Sequence, residues 1–588
     1  MRPVVTRRRI VVTVAIITVL IVIFGIRLFD IQVVRASSLN DQSKDKMSSP
    51  SKIFSTRGDI VDRNGVVLAQ AQMRYDITAS PRYAKEFKRT VDGKEVTVTP
   101  TQAAVEIAGY TKQNPNEIID AINGALAENP DSDFVYLAKS VDLNAYKAIR
   151  ALDIPWVYFE SAPSRIYPNG AVAGNLVGFV GSDGTPLAGL EQSEDKCVGS
   201  VDGEETYERG AKDGVMIPGS NVVTKQAKNG GKLTLTIDSD IQWYTQQLLA
   251  KQARDQGAKW GLAVVLEVKT GKLVAVADYP SVDPNNVDGT PAAFRGSYAF
   301  SAPYEPGSTM KALTASMLLD KGKATAKTHV YAPFKWTFPN GATFQDSGYH
   351  NPRQTLAGVI VNSSNVGISK LADSLSASTR YDYLKKYGLG AVSNVDFLGE
   401  STGILHDYQK WDPQTNYVTM FGQGLTMTAI QMASAYQAIG NKGERLPVQL
   451  VEQCVQADGT VVKPKLADPV QVVSPEAAHG VIQLLENVYS QGWLADRIRV
   501  PGYRIAAKTG TAEQADGRGG YSGSFIVTLA GLVPANDPQY VVLTTMSDVR
   551  VNSTAAVAPV FHDLSTYLLR KARIQPYTAG TPRFKLYW

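Results

Sequence analysis

Glu305-Pro-Gly-Ser308-Thr-Met-Lys311-Ala-Leu-Thr-Ala-Ser-Met-Leu-Leu319 is the stretch on which the reading of this chain turns. The Pro-Gly pair breaks the chain. The run after it is apolar on nearly every face, which predicts a buried central helix with Ser308 at its N-terminus and Gly322 closing it. A serine and a lysine three positions apart share one face of such a helix. The hydroxyl can then be a nucleophile with the amine as its base, and the helix N-terminus offers free backbone N–H groups to a developing anion. Two further strings follow in order. Ser363-Ser364-Asn365 supplies a second hydroxyl and an amide, and Lys508-Thr509-Gly510 supplies a cation.

Each string alone is weak. Ser-x-x-Lys recurs at Ser43/Lys46, Ser49/Lys52 and Ser193/Lys196, Ser-x-Asn at Ser38/Asn40, and Lys-Thr-Gly at Lys269-Thr270-Gly271. Context separates them. The first two Ser-x-x-Lys copies lie in a polar run, Ser37 to Lys52, and the third among Glu191, Glu194 and Asp195, a solvated loop. Lys269-Thr-Gly joins two strand-like runs and predicts a hairpin turn, with Gly271 supplying the positive φ. Taken singly, Ser308 reads equally well as a helix cap and Lys508 as an exposed strand lysine. The ordered set, each member in its required context, points to chemistry.

The chain has 588 residues and a net charge of +5, with 20% charged and 44% hydrophobic residues. These values describe ordinary globular material of several domains. The basic residues are scattered except at the extreme N-terminus, so nucleic acid is not a predicted partner. Arg2, Arg7, Arg8 and Arg9 precede the uncharged run Ile10–Ile26, which Leu28 and Phe29 extend if Arg27 snorkels. A membrane span needs roughly 17–25 residues. The reading is a cytoplasmic tail at 1–9, a transmembrane helix at 10–29, and everything after Asp30 outside. A cleaved signal peptide would have an apolar region of about 7–15 residues ending in small residues, which is not seen here. The two cysteines, Cys197 and Cys454, fall in different predicted domains and are expected to stay unpaired, although the compartment permits a disulfide. His329, His350, His406, His479 and His562 are isolated, and no Cys/His cluster has metal spacing, so no metal or cofactor is expected.

A linker at 30–52 follows the anchor. Residues 53–225 read as a mixed α+β pedestal, with a hairpin at Asn64-Gly65, a strand from Tyr75, helical periodicity over Thr101–Ala127 and a Gly-rich acidic stretch from Ser164 to Gly210. Nothing in it suggests catalysis. Arg57, Asp62, Arg63 and Glu191 are candidates for one structural ion-pair network. Residues 226–575 read as an α+β domain, and 576–588 as a C-terminal tail. In the α+β domain a helix capped at Asp238 or Ser239 runs to about Gln256, and another spans Thr426–Gly440. Strands Tyr503–Ala512, Ser524–Val533 and Tyr540–Ser547 complete a central antiparallel sheet flanked by helices, and Val557–Leu569 closes it. Gln514–Gly523 is expected to be a flexible loop beside the site.

Glu305–Lys311, Ser363–Asn365 and Lys508-Thr-Gly-Thr-Ala-Glu513 together resemble the active site of penicillin-binding transpeptidases. Arg57-Gly58 and Asp62-Arg-Asn-Gly65 resemble the N-terminal (dimerisation-type) module of the class B, monofunctional members. Gly422-Gln-Gly-Leu-Thr-Met-Thr428 resembles a further stretch typical of them. Within class B the overall likeness is to the division-specific peptidoglycan transpeptidases. The resemblance implies that Ser308 attacks the carbonyl between two D-alanines of a stem peptide and that neutral Lys311 takes its proton. Ser363 then relays a proton to the leaving D-alanine, and Asn365 orients Lys311 and substrate. It also implies that Lys508, Thr509 and Thr511 hold the terminal carboxylate, with the N–H groups of Ser308 and Thr511 as the oxyanion hole. Gly510 allows close approach of the substrate strand. The implied partners are stem peptides, β-lactam antibiotics, a membrane-embedded glycan polymerase and division proteins at the septum. A hydrolase with the same three strings, or a non-enzymatic membrane scaffold or β-lactam sensor, are the rival readings.

Overall fold

The computed structural model describes residues 3–38, 48–91, 93–208, 219–515, 520–577 and 579–588. The chain forms two compact units, the first made of Met1–Thr56 and Ser200–Asn229. In this unit a helix runs over Pro3–Phe29, and its side chains from Ile10 to Phe29 are exposed. A predominantly apolar helix left uncovered has the length and surface of a single membrane anchor. Strand Ser48–Ile53 pairs antiparallel with Gly203–Glu208, which pairs in turn with Val222–Lys225. The end of the expected polar linker is therefore strand, while its residues 39–47, with the Ser43/Lys46 decoy, lie outside the described residues.

The second unit comprises Arg57–Gly199 and Gly230–Trp588. Its five-stranded antiparallel sheet is made of β1 (Trp260–Glu267), β2 (Leu273–Tyr279), β3 (Ala506–Ala515), β4 (Tyr521–Val533) and β5 (Tyr540–Ser547), in the order β2-β1-β5-β4-β3. Alternate residues face opposite sides of a strand. Leu262, Val264 and Leu266 of β1 enter one core, Ala263 and Val265 the other. Helix α1 (Ser239–Gln256) and helix α5 (Ala558–Lys571) cover the second face through Ile241, Leu249, Phe561 and Leu564. Helix α2 (Met310–Asp320) and helix α4 (Ala429–Gly440) lie in the first core, and residues 310–318 of α2 are buried without exception. Caps fall where side chains can provide them. Asp238 accepts from the N–H groups of Asp240 and Ile241, and Thr428 forms a capping box with Gln431. The Gly271 turn between β1 and β2 has φ +73°, the left-handed conformation expected of it.

A second sheet reorganises the expected domain boundary. Strand Lys232–Leu235 pairs antiparallel with Val451–Val455 on one side and parallel with Ile60–Val61 on the other. Ile60–Val61 then pairs with the long strand Val67–Ala79. One sheet thus joins strands from both predicted domains. It also places Leu233 opposite Cys454 and donates the Gly231 N–H to the Cys197 carbonyl. That corrects the reading of the cysteines: Cys197 and Cys454 form a disulfide across 257 residues of sequence. A separate core of Ile77, Ile107, Ile118, Ile149 and Trp156 fills the outer part of the pedestal.

Three other expectations are adjusted. The Thr101–Ala127 periodicity is two helices, Pro100–Thr111 and Pro115–Glu128, because Lys112 turns left-handed at φ +60° and Pro115 starts the second. The four-residue ion-pair network does not form as a unit. Arg57 and Arg165 pair with the buried Glu191, both at 2.6 Å, Arg63 pairs instead with Glu267 at 2.7 Å, and Asp62 accepts from Asn64, Val66 and Ser239. The segment Gln514–Gly523 is not all loop, since Ala515 still pairs with Tyr521; residues 516–519 lie outside the described residues.

A disulfide closing so long a loop restricts the unfolded chain and is worth about 2–5 kcal/mol. The double substitution C197S/C454S should lower the unfolding free energy by that margin and the urea midpoint with it. Reductant should reproduce the loss in the native chain and leave the variant unchanged, as read by urea unfolding.

Candidate active site

The nucleophile string begins in a turn that only glycines permit. Gly307 has φ +55°, and a Cβ there would lie 2.8 Å from the Thr511 carbonyl oxygen of β3. Gly422, at φ +88°, would place a Cβ 2.1 Å from the Gly307 carbonyl oxygen, and its own carbonyl accepts the Gly307 N–H at 2.9 Å. The Gly422–Thr428 string therefore backs the nucleophile turn. Tyr304 and Met427 bond each other's backbones beside it. A short 3₁₀ turn, Gly307–Thr309, leads into α2, and Ser308 makes no side-chain cap. Its hydroxyl is left for chemistry.

Lys311, one turn on, is fully buried. Its Nζ lies 3.0 Å from Ser308 Oγ, 2.7 Å from Asn365 Oδ1 and 3.2 Å from Ser363 Oγ, and it donates to the Ser363 carbonyl. Burial lowers the lysine to about 7, with Asp346 opposing the shift. Near neutrality a large share of the amine is therefore uncharged. In that form it donates two hydrogen bonds, to Asn365 and the Ser363 carbonyl, and its lone pair accepts the Ser308 hydroxyl.

Ser363 has φ +59°, a left-handed conformation that costs a residue bearing a Cβ about 1–2 kcal/mol. The turn aims Ser363 Oγ between two amines, since Lys508 Nζ is 3.0 Å away. Ser364 caps helix α3 (Asn365–Ala372) through the Gly367 N–H, and Asn365 Nδ2 donates to the Gln345 carbonyl at 3.0 Å, which fixes the amide with its oxygen toward Lys311. Lys508, also fully buried, donates to the Thr509 carbonyl at 3.0 Å and to Thr509 Oγ1 at 3.3 Å. Burial and the Lys311 amine push it well below the ordinary lysine value.

All eight residues singled out in the sequence thus meet along one seam. Ser308, Lys311, Ser363, Asn365 and Lys508 are joined by direct hydrogen bonds. Thr509, Gly510 and Thr511 lie on β3, an edge strand with its outer side unpaired in the sheet. Gly510 packs against the nucleophile turn. The space its missing Cβ leaves is taken by the chain itself, by Thr309 Cγ2 at 2.9 Å and the Pro306 carbonyl at 3.1 Å. Asp346 escaped sequence reading. It is buried, accepts from Ser364 Oγ and from the Val366 N–H, and lies against His350. Nothing in the spacing of Gln345-Asp346-Ser347 marks it.

The penicillin binding protein transpeptidase domain family matches residues 261–566, and the penicillin-binding protein dimerisation domain family matches residues 52–235. This chain belongs to the penicillin-binding proteins. Penicillin-binding protein PbpB of Mycobacterium tuberculosis is 34% identical over 95% of this chain and 84% of its own length. Peptidoglycan D,D-transpeptidase FtsI of Escherichia coli is 30% identical over 89% of this chain and 85% of its own. Among solved structures, penicillin-binding protein 3 of M. tuberculosis in complex with aztreonam superposes with a TM-score of 0.69 at 28% identity, covering 92% of this chain and all of that one. Like them, this penicillin-binding protein is of mixed α+β class, with its antiparallel sheet flanked by helices.

The two buried amines tie stability to pH. Lys311 titrates at about 7 in the fold against an ordinary 10.5, so between those values the unfolded chain holds a proton that the folded one lacks. Stability therefore rises with pH across that window. Relative to Lys311→Met, the native protein should gain about 1 kcal/mol per pH unit between roughly pH 7.5 and 9.5. Urea unfolding of both proteins at several pH values measures this, and parallel curves would refute it.

Proposed function

We propose that this protein is a membrane-tethered peptidoglycan D,D-transpeptidase working through an acyl-enzyme on Ser308. The observation that carries the reading is the 3.0 Å contact between Ser308 Oγ and a buried, weakly basic Lys311. Outside the membrane no nucleotide drives amide formation, so one amide must be exchanged for another. Ser308 attacks the carbonyl of the penultimate D-alanine while its proton passes to Lys311. The anionic oxygen is held by the N–H groups of Ser308 and Thr511. Collapse of the tetrahedral species breaks the amide bond, and Ser363, bridging the two amines, passes a proton to the departing D-alanine nitrogen. An amine from a second stem peptide then attacks the ester, loses its proton to the same relay and restores Ser308, leaving a cross-link.

Lys508 with Thr509 and Thr511 receives the terminal carboxylate of the donor. An incoming anion reverses the local balance, because it offsets the repulsion from Lys311 and favours the ammonium form of Lys508. The unpaired edge of β3 lets the donor peptide add as a strand. A β-lactam enters by the same route and remains as an ester. The arginines ahead of the apolar helix support an orientation with the N-terminus inside and the reaction outside, and on this reading the protein works at the septum with a membrane-embedded glycan polymerase.

Exposure to penicillin followed by peptide mass mapping should give one adduct per chain, on Ser308, with a lifetime far longer than an assay. Ser308→Ala should abolish it, and Lys311→Met should slow it by at least about 10³-fold. Rapid penicillin turnover would favour a hydrolase, and an adduct elsewhere would overturn the assignment.

A further inference from the structure

The site rests on a buried acid–imidazole pair that none of the three strings contains. Asp346 is 2% exposed and His350 8%, and their contact, Oδ2 to Nε2, is 2.5 Å. Asp346 uses its oxygens in two directions. Oδ2 accepts from Ser364 Oγ at 2.7 Å, and Oδ1 from the Val366 N–H at 3.0 Å. These residues flank Asn365 and follow the left-handed Ser363, so the carboxylate pins the whole turn that faces Lys311. On the other ring nitrogen of His350, Gln354 approaches Nδ1 at 2.8 Å, and its amide oxygen accepts from Asn362 Nδ2 at 3.0 Å. Asn362 in turn exchanges hydrogen bonds with the Tyr587 hydroxyl. Two amides and a hydroxyl form a chain that can run in either polarity, so it serves a neutral His350 or, with the amides rotated, an imidazolium.

We propose that Asp346 and His350 are positioning residues for acylation: Asp346 holds the Ser363–Asn365 turn and sets the charge that Lys311 feels, and His350 offsets that charge. The inference rests on the Ser308–Lys311 reading above. The charged groups acting on His350 are Asp346, which favours its protonation, and Lys311, which opposes it; Gln354 and Ser364 beside the pair are neutral. Asp346 also favours the protonated form of Lys311. The two residues therefore act on the base with opposite signs. Loss of the carboxylate charge makes Lys311 easier to deprotonate, and loss of the imidazolium makes it harder.

The full chain in detergent, reacted with a fluorescent penicillin from roughly pH 5.5 to 9, tests this through the acid limb of the acylation rate. His350→Gln should move that limb to higher pH by roughly half a unit or more, and Asp346→Asn should move it to lower pH. A merely structural role would lower the plateau rate and leave both limbs in place, and that result overturns the proposal. Should Asp346→Asn fail to fold, as judged by its melting transition, His350→Gln decides alone by the same criterion. A native protein that forms no adduct would instead sink the Ser308 reading itself.

Discussion

A lysine amine with no access to water can exist in two ways. It can shed its proton, or it can keep it and surround the charge with acceptors. Lys311 sits between these limits: burial favours the free amine, while Asn365, the Ser363 carbonyl and the field of Asp346 favour the ammonium. The balance falls near neutrality, where one group can take a proton and return it within a single reaction. Moving any of those partners by an ångström would tip it. The surrounding architecture can be understood as the means of holding them still.

Three glycines supply much of that rigidity. Gly307, Gly422 and Gly510 bring the nucleophile turn, the Gly422–Thr428 segment and β3 closer than any Cβ would allow. Ser308 is thus aligned by backbone from three separate stretches of chain, which leaves its hydroxyl to the Lys311 amine. Thr314 and Tyr436 extend the scaffold inward, through hydrogen bonds to the Met420 and Thr309 carbonyls. The second lysine adds a constraint of its own. Placing Lys508 within reach of Ser363, with both lysines buried, sets two amines against each other, and the hydroxyl between them is the natural conduit for a proton.

The parts of this design with local signatures were legible in the sequence. The helix after Pro306-Gly307, the Asp238 cap, the Gly271 turn and the Tyr540–Ser547 strand each depend on residues within a few positions of one another, and periodicity or turn chemistry reveals them. The three strings could be joined because their order and contexts agreed. What stayed hidden depends on distant pairing. Asp346 reaches Ser364 through a segment with no periodic signal, and the left-handed turn at Ser363 follows from the fit of its surroundings and not from serine itself. The disulfide was misjudged because domain boundaries drawn from composition separated Cys197 from Cys454, whereas the strand at Lys232–Leu235 unites them. The break at Lys112 has a local signature of its own, the polar run Thr111–Glu117 with Asn114-Pro115 inside it, and reading the stretch as one periodic segment passed over it.

That strand has a consequence for biogenesis. Its two neighbours come from distant stretches of the chain, Ile60–Val61 far upstream and Val451–Val455 far downstream. Neither the sheet nor the cystine bridge can be completed until the chain has been made as far as Val455. Contacts of such long range form slowly, and an oxidising compartment is needed to close the thiols. The protein therefore passes through an interval during synthesis in which its pedestal and catalytic halves are both unfinished, exposed to whatever chaperones and proteases share its compartment.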